Sequence, residues 1–440
     1  MRLSLTVATA LYAVVCANAV QAQTPWPCPR GVPADTTCTS DRDANGAYVL
    51  AAVPKNWSGV LVVHAHGGPR TTLLTPATND EDLARFAVFV REGHAWVNSS
   101  YRRPGFGVAM AVEDTDNARR HFLEKIAPKV GAPRIVIAHG QSWGGNVAAK
   151  LMERDAERAE QAYDGALLTS AVLPGGPRGY WFRADLRAVY NYYCHNHPRP
   201  DEPPYPIATG LPAGAKVSSQ DLAARIDACT GVSKPAADRT AAETQALANI
   251  LGVIKIREGS LVGHMTWATS LFQDMVHELL GGLSPFSNIG VTYAGSNDDA
   301  ALNAGVARFA SDPAARAALD ADGAVHGTFA RPVLTVHAID DPTAFVENEA
   351  AYRNVVAAIG RSDKLAQVFL DEAVHSKFST PVYPASLNAL LAWIATGRKP
   401  SPPEIAAACA PFAETYHEPC TFASGYEPRA YDTRVPARQP

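Results

Sequence analysis

The chain has 440 residues, 47% of them apolar and 19% charged, with a formal net charge of −4. This balance suits a globular protein with a sizeable core. It includes no basic cluster interleaved with aromatics, so neither nucleic acid nor an anionic membrane surface is an expected partner.

Met1-Arg2, the apolar run over 3–15 and Val20-Gln21-Ala22 have the layout of an export signal over 1–22, cleaved after Ala22 or alternatively Ala19. The run is too short for a membrane span. Bulky Val15 before Cys16 argues against a lipid-attachment cysteine. A secreted or periplasmic location follows. Cleavage leaves Cys28, Cys38, Cys194, Cys229, Cys409 and Cys420, an even set that points to disulfides in an exported chain. Sequence leaves their pairing open. The local set, Cys28–Cys38, Cys194–Cys229 and Cys409–Cys420, is the simplest.

Residues 47–54 alternate well enough for a strand, and the apolar 60–64 predicts a second after the turn Asn56-Trp57-Ser58-Gly59. Leu83, Phe86, Ala87 and Val90 have helical spacing and predict a helix over 80–92. A strand at 95–99, a helix at 113–127, a strand at 134–139 and a helix from 145 follow, then a strand at 164–171. The alternation resumes with strands at 332–337 and 365–370 and helices at 345–359 and 385–396. Strands alternating with helices imply an α/β fold, a mostly parallel sheet covered on both faces.

Between 174 and 331 the alternation breaks. The stretch starts rich in Pro and Tyr, then shows helical spacing at 219–229, 241–254 and 266–280. A structureless loop of that length is not expected in a compact domain. The expected organisation is a discontinuous core over 23–172 and 331–400, a helical cap over 173–330, and an irregular tail over 401–440.

Gly140-Gln141-Ser142-Trp143-Gly144 sits between an apolar strand and a helix. Strand, G-x-S-x-G, helix is the pattern of a strained turn that exposes a nucleophilic serine, with small residues required two positions either side. A serine hydroxyl needs a base to take its proton and an acid to orient that base. The acid is expected after the strand at 332–337, where Asp340 and Asp341 compete. Asp341 is favoured because Pro342 pushes its backbone to an extended form. The base is expected after the strand at 365–370, which selects His375. An oxyanion needs two donors. One is the Trp143 N–H. The other comes from Gly67 or Gly68 in His64-Ala65-His66-Gly67-Gly68-Pro69, since Pro69 has no N–H.

Together these pieces resemble the α/β-hydrolase superfamily, over about 47–171 and 331–396. His66-Gly67-Gly68-Pro69 with Gly140-Gln141-Ser142-Trp143-Gly144-Gly145 looks like prolyl-oligopeptidase-type serine peptidases, as does Tyr101-Arg102-Arg103-Pro104-Gly105-Phe106-Gly107. Too few residues precede Ala47 for the propeller such peptidases carry. The inserted cap is instead a feature of lid-bearing esterases.

The resemblance implies a secreted serine esterase working on a small-molecule ester through an acyl-enzyme. His66, Tyr190, Tyr192, His264, Trp267 and Phe272 are candidates to line its pocket, although each of the last five taken singly reads more readily as cap core. A second reading is a capped exopeptidase or amidase, which needs cap carboxylates for a substrate amine; Asp201, Glu202, Glu258, Asp274 and Glu278 are available. A third is a non-catalytic binding protein on the same scaffold. No cofactor is expected. Nor is a metal: His64 and His66 alternate on one strand end without an evident carboxylate or cysteine partner, and Asn297-Asp298-Asp299 reads as a turn or helix cap. Sequence does not give the oligomeric state.

Overall fold

The computed structural model describes residues 24–438; the export signal read over 1–22 lies outside them. Among the described residues nine strands form one sheet in the order β1-β2-β3-β5-β4-β6-β7-β8-β9. They are β1 (Thr24–Pro25), β2 (Thr37–Arg42), β3 (Tyr48–Val53), β4 (Val60–Ala65), β5 (Ala95–Ser99), β6 (Ile135–Gln141), β7 (Gly165–Thr169), β8 (Val333–Ala338) and β9 (Leu365–Leu370). The first three and β5 pair antiparallel. From β5 to β9 every pairing is parallel.

The continuous apolar run of β4 reflects burial on both faces, as parallel strands require. Leu61, Val63 and Ala65 face one core layer, under the helices Val108–His121 and Trp143–Ala156. Val60 and Val62 face the other, with Phe86, Phe89, Leu387 and Leu390. A third cluster, including Leu186, Val189, Ile226, Ile250 and Val253, is the core of the cap.

Several boundaries differ from expectation. The helix read over 80–92 is two, Asp80–Arg85 and Ala87–Arg91, parted at Phe86. The stretch read over 266–280 begins earlier and alternates regular and π turns from Leu261 to Leu279. The Pro- and Tyr-rich start of the cap holds a helix, Trp181–Cys194, and two more helices, Asp299–Gly305 and Pro313–Gly323, close the cap. Asp298 N-caps the first of these by accepting from the Ala301 N–H.

The tail is not irregular throughout. It contains the helices Pro402–Ala407 and Ala410–Tyr416. Two prolines that look like breakers occupy the first turn, where their missing N–H costs nothing, and Ser401 and Glu404 form a reciprocal cap. The tail bridges Leu370, the last residue of β9, through Phe422. It then reaches the cap, where Arg438 pairs with Asp185 at 2.6 Å. Disulfides join Cys28 to Cys38, Cys194 to Cys229 and Cys409 to Cys420. Among the described residues no helix is long and apolar enough to cross a membrane.

Candidate active site

Ser142 stands between the end of β6 and the helix Trp143–Ala156 with φ 60° and ψ −123°. That is a left-handed conformation that side-chain-bearing residues rarely adopt, and it persists only where the surroundings impose it. They do so here. The Ser142 N–H donates to Thr169 O at 2.9 Å, and its carbonyl accepts from Gly145 and Val172. A Cβ on Gly140 would run into the Gly144 carbonyl, and one on Gly144 into the carbonyls of Ala65 and His66. The turn closes only because both positions lack a side chain.

The loop after β8 brings Asp341 to the same place, and the loop after β9 brings His375. His375 Nε2 lies 2.7 Å from Ser142 Oγ. His375 Nδ1 lies 2.8 and 3.0 Å from the two Asp341 oxygens. Asp341 Oδ1 also accepts the Thr343 and Ala344 N–H groups at 2.7 and 2.9 Å. Burial alone would raise the Asp341 carboxyl. The facing imidazoles of His375 and His337 outweigh burial and hold it well below the usual carboxylate range. Asp340 turns outward and pairs with Arg257 at 2.9 Å.

Behind this line lies a part that the sequence did not flag. His337, on β8, is fully buried between Asp341 at 3.5 Å and Glu349 at 3.1 Å. Burial lowers its basicity, but the two carboxylates prevail and push it up to about 10. Glu349 is held in turn by Thr335 Oγ1 and Gln367 Nε2, each donating at 2.6 Å.

The glycine loop after β4 packs against the serine turn. Trp143 opens its helix, so its N–H has no partner within the helix. Gly68 has φ +78°, and its Cα faces the Trp267 ring. A Cβ on Gly67 would strike Gln141. Gln141 itself donates to Ser376 Oγ at 3.0 Å, so one side chain touches both the glycine loop and the His375 loop. His66 does not face the serine. Its Nδ1 lies 2.8 Å from Asp82, which Arg70 also contacts at 3.1 Å. Asp82, from the helix Asp80–Arg85, is the carboxylate partner that His64 and His66 lacked when read from sequence. It sits 16 residues beyond His66, and only the return of that helix over the sheet brings it close. Burial would raise the Asp82 carboxyl; His66 and His64 more than reverse that. Among the described residues no group of three His, Cys, Asp or Glu side chains is placed to hold a metal ion.

The strand order, with its antiparallel start, positive-φ serine between β6 and a helix, and acid and histidine loops after β8 and β9, is decisive. This is the α/β-hydrolase fold. No protein-family model matches the chain. Over 134 residues it is 28% identical to an o-phthalyl amidase of Xanthobacter agilis, a match that spans 30% of this chain but only 26% of the amidase. Among solved structures it is similar to an esterase from Aspergillus oryzae (13% identity, 83% and 81% of the two chains, TM-score 0.43). It is also similar to carboxyl esterase 2 of Tuber melanosporum (13%, 90% and 90%, 0.39). A third is the rice cell wall degrading esterase of Xanthomonas oryzae (14%, 78% and 84%, 0.37). Likeness at this level decides nothing about substrate.

In this hydrolase fold the cap overhangs an open cavity of about 250 Å³ beside Ser142, walled also by Gly67, Gly68, Trp143, Tyr180, Arg183, Trp267, Leu271 and His375. Of the six residues named as pocket lining, Trp267 is on this wall. The other five lie elsewhere. Tyr190 is in the cap core with its hydroxyl donating to Asn196, Tyr192 packs edge-on against Tyr193, and Phe272 stacks on Phe286 at 4.1 Å. His264 braces the acid loop through Pro342 O at 2.9 Å, and His66 serves Asp82. Apolar spacing identified cap residues but not which face of each helix meets the sheet. The five cap acids are also absent from this wall. Glu202 pairs with Arg225 and Glu258 with Arg239, while Asp274 accepts the Phe106 N–H. A larger groove, of about 390 Å³, lies between β9 and the tail and touches none of the Ser142 line.

Proposed function

We propose that the chain is an exported serine hydrolase that cleaves carboxylic esters. The observation that carries this is the unbroken line from Ser142 Oγ through His375 to Asp341, with contacts of 2.7 and 2.8 Å. His375 Nε2 takes the Ser142 proton as Oγ attacks the ester carbonyl. The N–H groups of Trp143 and Gly68 receive the oxyanion, each such donor being worth about 3 kcal/mol of barrier. His375 returns the proton to the leaving oxygen, and the acyl group stays on Ser142. Water, deprotonated by the same nitrogen, then attacks the acyl carbon, and collapse of that adduct frees the acid and restores Ser142. Asp341 holds the imidazole in the tautomer this requires. Three disulfides support an oxidising compartment.

A second reading is cleavage of an amide by the same steps, favoured by the partial match to an amidase. The exopeptidase form of it has less support, since no acid stands on the cavity wall to meet a substrate amine. The test is turnover of p-nitrophenyl butyrate alongside matched anilides. Ser142→Ala should lower kcat by roughly a million-fold, and a fluorophosphonate should label Ser142. Absence of labelling with no turnover would return the chain to a binding role.

A further inference from the structure

The cavity over Ser142 contains a charge that the protein leaves unbalanced. Arg183, in the first turn of the helix Trp181–Cys194, lines the cavity together with Ser142 and His375 and is 5% exposed. Its Nε has no hydrogen-bond partner among the described residues. Its neighbours are rings, with Phe182 4.7 Å and Tyr180 5.8 Å from the guanidinium carbon. Burial lowers its pKa to about 10, which still leaves it cationic at neutral pH.

Other buried guanidiniums here are treated differently. Arg187, one turn further along the same helix, donates to Ile207 O, Thr269 Oγ1 and Gly210 O. Arg438 pairs with Asp185, and Arg225 with Glu202 and Asp221. A charge removed from water without a counter-charge is costly, and ring faces offset only part of that cost. Among the described residues the cavity wall supplies no acid; its second cation, Arg85, is engaged by Glu81. A planar fork of donors matches the two oxygens of a carboxylate.

We propose that Arg183 binds a carboxylate on the substrate, so that the preferred substrates are esters or amides bearing a free acid beside the bond that is cut. This rests on the hydrolase reading above. The acid belongs either to the acyl part, as in a monoester of a dicarboxylic acid, or to the leaving part, as in an ester of a hydroxy acid.

The experiment compares kcat/KM for two matched pairs. On the acyl side these are mono-p-nitrophenyl glutarate and its methyl ester; on the leaving side, p-carboxyphenyl butyrate and p-carbamoylphenyl butyrate. The anionic member of one pair should be preferred by roughly 10- to 100-fold, the span of a charged hydrogen-bonding contact. Arg183→Met should erase that preference, and Arg183→Lys should keep part of it. Equal or reversed preference in both pairs for the unsubstituted protein overturns the proposal whatever the variants do. Glutarate binding to Ser142→Ala, measured by calorimetry, separates this proposal from the hydrolase reading. Binding that disappears with Arg183→Met, in a protein that turns over none of the four esters, sinks the hydrolase reading and keeps the anion site. Turnover without preference, and without glutarate binding, sinks the anion site alone.

Discussion

The Asp341 side chain is fully buried, while that of its neighbour Asp340 is 60% exposed. The difference follows from a turn. The Asp340 N–H donates to Glu372 O and the Asp341 N–H to Ala338 O, which points the two carboxylates in opposite directions. Asp341 then meets His375, His337 and two backbone N–H groups, whereas Asp340 meets one partly exposed arginine. An exposed pair of this kind is worth about 0–1 kcal/mol. Asp341→Asn should therefore lower kcat on p-nitrophenyl butyrate by roughly 10⁴-fold, because the amide no longer fixes the tautomer of His375. Asp340→Asn should leave kcat within about twofold. A matching loss in the two variants would show that the acid had been misassigned. The convergence of Ser142, Asp341 and His375 was readable because the proposed chemistry demands those residue types at strand ends. The contacts of Gln141, Glu349 and Arg183 were not, since they depend on which loop or cap helix lies opposite.

Among the elements, the parallel strands were the most legible and the cap the least. Runs such as Val333–Ala338 are apolar because both faces are covered, and that leaves a mark in composition. β2, Thr37–Arg42, has no such mark: it lies near the antiparallel edge, mixes Thr, Ser, Asp and Arg, and was missed. In the cap, the helices Ser219–Thr230 and Ala241–Ile254 were legible from their spacing, and the structure adds Ser218 and Thr240 as their N-caps. Trp181–Cys194 did not, because the prolines following it hid a regular helix. That helix is tied to Ser219–Thr230 by Cys194–Cys229, across 35 residues of sequence. In the chain-entropy account such a loop contributes about 4 kcal/mol, against roughly 3 for the 10-residue loop of Cys28–Cys38. The double variant Cys194→Ser/Cys229→Ser should accordingly lose more stability in urea than Cys28→Ser/Cys38→Ser. Equal or reversed losses would mean that local packing, not loop length, sets the effect.

At the scale of the whole molecule, buried histidines of two kinds set opposite limits on stability. Burial lowers His94 to about 4 and His197 and His264 to about 3. An unfolded histidine titrates near 6.5, so the folded state disfavours their protonation. Their contribution is complete above roughly pH 6.5 and is lost as pH falls through the folded values. His337 is the reverse case. Asp341 and Glu349 raise it to about 10, so its contribution is complete below roughly pH 6.5 and drains away as pH rises toward that value. Tm should therefore peak between roughly pH 6 and 7 and fall on both sides. The alkaline limb has one principal origin, which makes it testable. Nδ1 of His337 faces Glu349 and Nε2 faces the Ala344 carbonyl at 2.8 Å, so both ring nitrogens are placed to donate. Asparagine in its place can donate but cannot lose a proton in this range. His337→Asn should lower Tm at neutral pH yet flatten its fall between about pH 7 and 9, with the acid limb unchanged. The slope, not the level, is the readout. An alkaline slope in His337→Asn equal to that of the unsubstituted protein would place the titrating group elsewhere and leave the His337–Glu349 pair without its assigned charge.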